Sequence, residues 1–371
     1  MKMGTASEDE KLILRQYREG DGGGLARLMA NNFPVTEGYD TIKQTWLWQF
    51  KNNTLDEPYV MVAEDRGNLV AQYAVMGFRM NFMGGPIDVA LSTSTVTDFN
   101  YRGRGLFPKL ARLLYSHIKQ RNCKLIYGFP NAQSIDIFLN KLSWFKIQKL
   151  PLLIKPINFK HILSEYIKNN ILACTLGSFL NRMGEKLSKF PTIGENLKNI
   201  TIKSTRYFPE ETGGLWKMTH LRNRIALIRD NAYLEWRYLK KPQSKYDVNL
   251  VYEDNIPIGY LITKLQNNYG LNILFVMDIV IKDDDRKILS YVIDYISHQA
   301  RMMGADILSM LVLNNHPHYS LFIKKGFLPI PETFFPQEIY FCAMSNSEDI
   351  NVNSLQNKNN WYITWGDTDT I

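Results

Sequence analysis

The sequence predicts a mixed α/β protein, an α+β fold with mixed sheets, made of two similar lobes and a helical linker. Three observations support this prediction. A strand, a glycine-rich turn and a helix follow one another between residues 87 and 118, landmarks of the first half recur in the second, and an amphipathic helical pattern separates the two halves. A chain of 371 residues with 45% hydrophobic residues is long enough for about two domains with their own cores.

Composition excludes several classes of protein. The chain carries 44 Lys and Arg against 36 Asp and Glu, a net charge of +8, which suits an anionic ligand and could also suit nucleic acid or an acidic membrane surface. Since no run of five like charges occurs, a solvated surface with a mild basic bias is the alternative. The three cysteines lie far apart, so we expect neither a zinc site nor a disulfide framework. Residues 1–14 lack the apolar core of a signal peptide, and no stretch reaches about 18 apolar residues, so we expect a cytoplasmic protein without a transmembrane segment.

The first strand–turn–helix unit has the features of an anion site. Residues 87–97 are rich in β-branched side chains and predict a strand. The following helix is predicted from apolar residues at helical spacing: Leu106, Leu110, Leu113, Leu114 and Ile118. Between them, Gly103 and Gly105 allow close backbone approach, while Arg102 and Arg104 add positive charge at a helix N-terminus. This pattern predicts a pyrophosphate cradle; a surface turn that merely starts a helix is the alternative.

Two motifs resemble one known family. The segment "YRGRGLF" resembles the acyl-CoA pyrophosphate loop of GNAT-type N-acetyltransferases, Arg/Gln-x-x-Gly-x-Gly/Ala, with Arg102 at the first position and Gly105 at the fourth. Phe107 stands at the last position, where a small residue is usual. Residues 125–145 are similar to the family's fifth strand, its asparagine and the helix after it, with Asn131 at the asparagine and Trp144 at a Gly–aromatic pair.

The resemblance implies an acyl-CoA-dependent N-acetyltransferase that uses acetyl-CoA and a small-molecule amine, with an amino sugar as one candidate acceptor and no nucleic-acid partner. It also implies where the cofactor lies. The pantetheine arm would pair with the strand backbone at Thr95, Val96 and Thr97. The remaining implied contacts are Arg102, Gly103, Arg104, Gly105, Leu106, Phe107 and Asn131.

The same landmarks occur twice. Trp48-Gln49-Phe50 parallels Trp236-Arg237-Tyr238, and the spans 131–144 and 314–327 are related by one offset, since 314 − 131 and 327 − 144 are both 183. We therefore predict tandem GNAT-like lobes over residues 12–155 and 201–345, a helical linker over 156–200, and a polar segment with an aromatic tail over 346–371. Residues 171–180 could alternatively form a membrane-surface helix. The second lobe has "KDDDRKIL" where the first has "NYRGRGLF", so we expect only the first lobe to bind the cofactor.

The catalytic residues are less defined. The family often places a tyrosine general acid on the helix after the fifth strand, but here that position falls on Phe138 or Leu139. We expect both to pack in the core, which leaves Tyr127 as a candidate acid. Candidate bases are Asp98, at the end of the cofactor strand, and Asp367 and Asp369, if the tail folds back.

Two other functions stay open at this point. A Fem-type aminoacyl transferase also has two GNAT-like lobes and would suit the basic charge, but it does not need a pyrophosphate loop. A non-catalytic CoA-binding protein of the same fold would suit the missing tyrosine. The oligomeric state is not predicted.

Overall fold

The structure, a computed structural model, describes residues 12–33, 38–55, 58–166, 175–181, 197–268, 270–330 and 338–369. These residues form two mixed β-sheets with helices packed on them. The predicted mixed α/β class is confirmed.

The first sheet is formed mostly by the N-terminal half. In spatial order its strands are β1 (Leu12–Gln16), β2 (Tyr59–Asp65), β3 (Asn68–Phe82), β4 (Gly85–Thr97), β5 (Cys123–Gly128), β15 (Tyr340–Ser345) and β6 (Phe145–Lys149), and β9 (Ala226–Leu227) adds to β3. Strands β4 and β5 run parallel, and their neighbours in this sheet pair antiparallel.

The second sheet repeats this order with the C-terminal half. Its strands are β8 (Ile200–Thr205), β10 (Asp247–Glu253), β11 (Ile256–Asn268), β12 (Leu271–Ile281), β13 (Ile307–Leu311), β7 (Leu152–Pro156) and β14 (Leu328–Pro329). Here β12 and β13 form the parallel pair. Each sheet therefore has one parallel pair at the same place in its strand order.

The two sheets exchange one strand each. Strand β15 lies between β5 and β6 in the first sheet, and β7 lies between β13 and β14 in the second. The predicted lobe boundaries at 155 and 345 thus fall within or at the end of strands that pair with the other half of the chain. Because each sheet is completed by the other half, we expect the halves to fold together.

Helices pack on both the outer and the inner faces of the sheets and form connections between strands. Their bounds are α1 (Gly22–Asn32), α2 (Tyr39–Phe50), α3 (Leu106–Gln120), α4 (Ile135–Lys141), α5 (Phe159–Tyr166), α6 (Asn231–Leu234), α7 (Arg286–Met302), α8 (Tyr319–Lys324) and α9 (Val352–Gln356); residues 175–181 are also helical. On α3, four of the five predicted apolar positions are buried, but Leu113 is 44% exposed and does not belong to the packed face. The start of the linker segment 171–180 lies outside the described residues.

Three apolar cores hold these layers. One lies on the outer face of the first sheet, beneath α3 and α4, and one lies beneath α7 on the second sheet. The largest lies between the inner faces of the two sheets. There Trp48 and Trp236 stack with ring centroids 4.4 Å apart, and each indole N–H donates to the other residue's carbonyl oxygen at 2.9 and 3.1 Å. The contacts of the two tryptophans are therefore reciprocal, which agrees with the prediction from the repeat that they occupy equivalent positions.

Candidate active site

The site begins where two parallel strands separate. The first residue pair between β4 and β5 is Asp88–Cys123, and the last is Ser92–Gly128, where β5 ends. Strand β4 continues to Thr97 and from Thr93 onward pairs with β3 alone. We call the wedge beyond Ser92 and Gly128 the opening. Along it, the β4 backbone at Thr95–Thr97 faces no β5 residue, so an extended ligand could pair with it as an added strand.

A bulge shapes β4 at the narrow end of the opening. The register with β3 shifts between Gln72 and Ala74, and Ser94 has a φ of 43°. The Gln72 amide donates to the Ser94 carbonyl oxygen at 2.9 Å and accepts the Trp46 indole N–H at 2.9 Å. Since Gln72 is buried, these bonds hold the irregular backbone in one geometry.

An uncapped helix N-terminus lies at the wide end of the opening. Gly103 and Gly105 have φ values of 79° and 69°, and a Cβ at either would meet nothing within 4 Å. Among the described residues, no side chain caps α3, so its first N–H groups face outward. The exposed Arg102 and Arg104 lie beside them, over the rings of Phe99 and Tyr101. Open space, free N–H donors and two guanidinium groups fit a pyrophosphate.

The equivalent turn of the second sheet has the opposite character. The adjacent residues Asp283 and Asp284 adopt φ values of 56° and 51°, and the N-cap Asp285 is extended, whereas the N-cap Gly105 of the first turn is left-handed. The Asp285 carboxylate, however, accepts the N–H groups of Lys287 and Ile288 at 2.7 and 2.9 Å and thereby caps α7. A helix start already capped by its own carboxylate, beside further aspartates, disfavours an anion.

The C-terminal tail folds back between the two sheets. Its apolar side chains are 1–6% exposed and belong to the central core: Trp361, Tyr362, Ile363 and Trp365. The buried Arg237 donates to the carbonyl oxygens of Gly366 at 3.0 Å and Thr368 at 3.1 Å, which fixes the last described turn. The tail therefore reaches the first sheet in a defined conformation.

Arg229 ties the tail to the second sheet. Its guanidinium donates to Asp278 at 2.7 Å and to both carboxylate oxygens of Asp367, at 2.8 and 3.0 Å, and all three residues are fully or almost fully buried. Burial raises the pKa of Asp278, although the charge of Arg229 opposes the rise. Asp367 also accepts the N–H and O–H of Thr364. This geometry favours a structural role for Asp367.

Asp369 is the tail carboxylate that reaches the opening. It accepts a hydrogen bond from the Thr93 hydroxyl, one residue before the β4 bulge. The residue as a whole is exposed, but protein groups surround its carboxylate, and burial raises the pKa of Asp369. A narrow cleft of about 20 Å³, room for a water-sized group, lies beside it. Its lining includes Trp48, Phe78, Tyr233, Trp236 and Lys241.

The other predicted residues have varied surroundings. Tyr127 is buried on the inner face, and its hydroxyl has no hydrogen-bond partner among the described residues. Burial, and next Asp367, raise its pKa well above the ordinary value. Asp98 caps the turn before Arg102 by accepting the Asn100 N–H, and Asn131 accepts two N–H groups at the start of α4. Both side chains are thus engaged in local turns.

The position of the missing tyrosine is part of the outer core. Phe138 is 6% exposed and packs edge-on against Phe107 and Trp144. Leu139 is half-buried against the same core.

Sequence reasoning missed Thr93, Arg229 and Arg237. The signal for the arginines was their place in segments rich in apolar residues, "ALIRDNAY" and "LEWRYL".

Metal-binding clusters and membrane-spanning helices can be assessed only in the part of the chain that the structure describes. Within it, we find no group of three or more His, Cys, Asp and Glu residues that could hold a metal ion. None of its helices is long and apolar enough to cross a bilayer.

Part of the chain resembles a known family in sequence. Residues 14–138 match the family model described as an acetyltransferase (GNAT) domain, and these residues include most of the opening and the Arg102–Phe107 turn. The match covers about a third of the chain. No curated protein matches the chain in sequence.

Solved structures share the fold over most of the chain. A conserved protein from Enterococcus faecalis V583, described as a probable N-acyltransferase, superimposes with a TM-score of 0.62 at 10% identity, covering 91% of this chain and 72% of the other. A GCN5-related N-acetyltransferase from Anabaena variabilis superimposes with a TM-score of 0.61 at 10% identity, covering 89% of this chain and 72% of the other. A GCN5-related N-acetyltransferase from Kribbella flavida superimposes with a TM-score of 0.56 at 11% identity, covering 90% of this chain and 70% of the other. Identities this low establish similarity of fold only.

Proposed function

We propose that the protein transfers an acyl group, acetyl in the simplest case, from acyl-CoA to the amine of a small molecule, and that the chain is a tandem pair of GNAT-like lobes with one CoA site. The observation that carries this proposal is the opening between β4 and β5, with an anion-binding turn at its wide end and the Asp369 carboxylate near its narrow end.

The residues along the opening have distinct roles in this proposal. The turn from Arg102 to Phe107 binds the pyrophosphate, and the β4 backbone at Thr95–Thr97 pairs with the pantetheine arm. The thioester then lies at the narrow end, near the bulge that Gln72 fixes. Holding the thioester and the amine at fixed positions lowers the entropic part of the barrier.

Asp369 is the proposed general base. Its carboxylate lies on the inner face next to Thr93, where an amine entering the cleft would meet the thioester. A carboxylate whose pKa is raised by burial is a better proton acceptor near neutral pH than an exposed one. The cleft of about 20 Å³ has room for the amino group but not for a sugar ring, so the rest of the acceptor would lie outside it, and amino sugars are one class of acceptor to test.

Calorimetry and turnover test the proposal together. CoA and acetyl-CoA should each bind with a stoichiometry of one, and at least one amine in a panel of amino sugars, polyamines and amino acids should release free thiol from acetyl-CoA. The absence of CoA binding would refute the acyltransferase proposal. CoA binding with no turnover across the panel would favour the non-catalytic alternative, and acyl transfer from aminoacyl-tRNA alone would favour the Fem-type one.

A further inference from the structure

A chain of buried hydroxyl groups ends at the narrow end of the opening, on the outer face. Tyr73 of β3 lies 2.9 Å from the Ser92 hydroxyl and 2.9 Å from the Tyr115 hydroxyl on α3. The Trp144 indole donates to the Tyr115 oxygen at 3.1 Å. All four side chains are at most 8% exposed. None of these residues has a role in the function proposed above.

The Trp144 indole fixes the donor–acceptor direction of these hydrogen bonds. An indole N–H can only donate, so Tyr115 accepts from Trp144, and its own proton is free to go to Tyr73. Tyr73 then donates to Ser92, and the Ser92 proton is left without a partner among the described residues. The reverse direction would leave the unpaired proton on Tyr115 beneath α3, whereas this direction leaves it on Ser92, at the last β4–β5 pair, where a ligand in the opening could accept it.

Ser92 is the member of the chain that borders the opening. It forms the last β4–β5 pair, with Gly128, and β5 ends there. A Cβ on Gly128 would lie 3.2 Å from the Ser92 Cβ and 3.5 Å from the Trp144 ring, so glycine keeps this corner free. Successive side chains of a strand point to opposite faces, which places Ser92 on the outer face and Thr93, with Asp369, on the inner face.

We propose that the Ser92 hydroxyl, polarised by Tyr73, Tyr115 and Trp144, donates a hydrogen bond to the sulfur that leaves the thioester. This inference rests on the proposed function. Ser92 is the catalytic residue, and the two tyrosines are positioning residues that act through it. A hydroxyl from β4 thus serves where Phe138 on α4 offers none.

The step balances without a further reactant. The amine nitrogen forms a bond to the carbonyl carbon and gives its proton to Asp369, and the carbon–sulfur bond breaks with its electron pair on sulfur. The thiolate accepts the Ser92 hydrogen bond, Ser92 keeps its proton, and solvent protonates the thiolate on release. Burial raises the pKa of Tyr73 to about 12 and raises that of Tyr115, so both stay protonated as the chain requires.

The thiol of bound CoA provides a readout that does not depend on turnover. Thiolate absorbance measured against pH should show a lower thiol pKa for CoA on the parent protein than for free CoA. Ser92→Ala should raise that pKa by about one unit, the scale of a hydrogen bond to a charged group. Tyr73→Phe should shift it less, in the same direction. Ser309→Ala, which removes a buried hydroxyl from β13 of the second sheet, is the matched control and should shift nothing.

Kinetics gives the second readout. Ser92→Ala should lower kcat by about tenfold or more and leave the KM for acyl-CoA within about twofold, because the bond forms as the sulfur leaves. If CoA binds Ser92→Ala with an unchanged thiol pKa and kcat is that of the parent, this inference is wrong while the proposed function stands. If the parent binds no CoA, the proposed function itself fails. Tyr73→Phe provides the same decision if Ser92→Ala does not fold.

Discussion

Replacing Arg229 with methionine should destabilise the protein more than replacing Asp367 with asparagine. The guanidinium lies between two buried carboxylates, 2.7 Å from Asp278 and 2.8 Å from Asp367. Removing it leaves two buried negative charges. Replacing Asp367 instead leaves Arg229 and Asp278 as a neutral pair, so the charge imbalance is smaller.

The magnitudes follow from those contacts. Breaking one buried ion pair costs about 3 to 5 kcal/mol, and Arg229→Met breaks two, so the loss should be at least about that much. Asp367→Asn keeps one oxygen for Arg229 but presents an NH₂ group that cannot accept the Thr364 N–H, a loss of about 1 to 3 kcal/mol. The free energy of unfolding of a domain is only about 5 to 15 kcal/mol, so the folded state of Arg229→Met should be only marginally stable at neutral pH.

The pH dependence adds a signature. Without Arg229, the Asp278 carboxyl loses the charge that opposes the rise in its pKa, so its folded-state pKa should lie further above the unfolded value and the folded state would bind more protons. Stability then rises as pH falls through this folded-state pKa. Urea unfolding followed by tryptophan fluorescence at pH 7 and pH 5 measures this. The control Asp283→Asn, at an exposed residue with positive φ, should stay within about 0.5 kcal/mol of the parent. Arg229→Met within 1 kcal/mol of the parent, or less destabilised than Asp367→Asn, would refute the reasoning.

Three further predictions concern the site and the tail. Asp369→Asn should lower kcat at least about tenfold, remove the acidic limb of the pH–rate profile and leave acyl-CoA affinity within about twofold; an unchanged kcat would remove Asp369 as the base. Phe138→Tyr should not raise turnover tenfold, because this side chain packs in the outer core, and a tenfold gain would show that it faces the sulfur. Truncation after Asn360 removes four buried side chains worth about 6 to 12 kcal/mol, at about 1.5 to 3 each, so the shortened chain should not fold; a soluble, cooperatively folded product would contradict this.

Local features of the chain were predictable from sequence. The strand, turn and helix around Arg102 depend on residues next to one another, because glycine conformation and apolar spacing act over a few positions. The same holds for Phe138, whose apolar neighbours on α4 placed it in the core. Leu113 was assigned to the wrong face because a run of leucines does not show where the buried stripe ends.

Long-range features were not predictable in this way. The short apolar segments "LLIKP" and "YFCAMS" would fit either sheet, so their sequences do not show that β7 and β15 are exchanged. The tail was expected near the site from its aromatic residues, but the separate surroundings of Asp367 and Asp369 depend on Arg229 and Thr93, which are 138 and 276 positions away. The hydrogen-bonded series from Trp144 to Ser92 likewise joins three separate elements and the residue before β6.

The central claim is that a single anion-binding turn in the first lobe holds CoA. Calorimetry on two matched variants tests it: Gly105→Asp at the turn, and Gly304→Asp after α7. Both glycines have a φ of 69° and open space around the Cα, so the backbone strain is the same and only the first adds charge at the proposed pyrophosphate site. We predict one CoA per parent chain, at least tenfold weaker binding for Gly105→Asp, which is about 1.4 kcal/mol, and unchanged binding for Gly304→Asp. Two CoA per chain, or equal affinity in all three folded proteins, would contradict the claim.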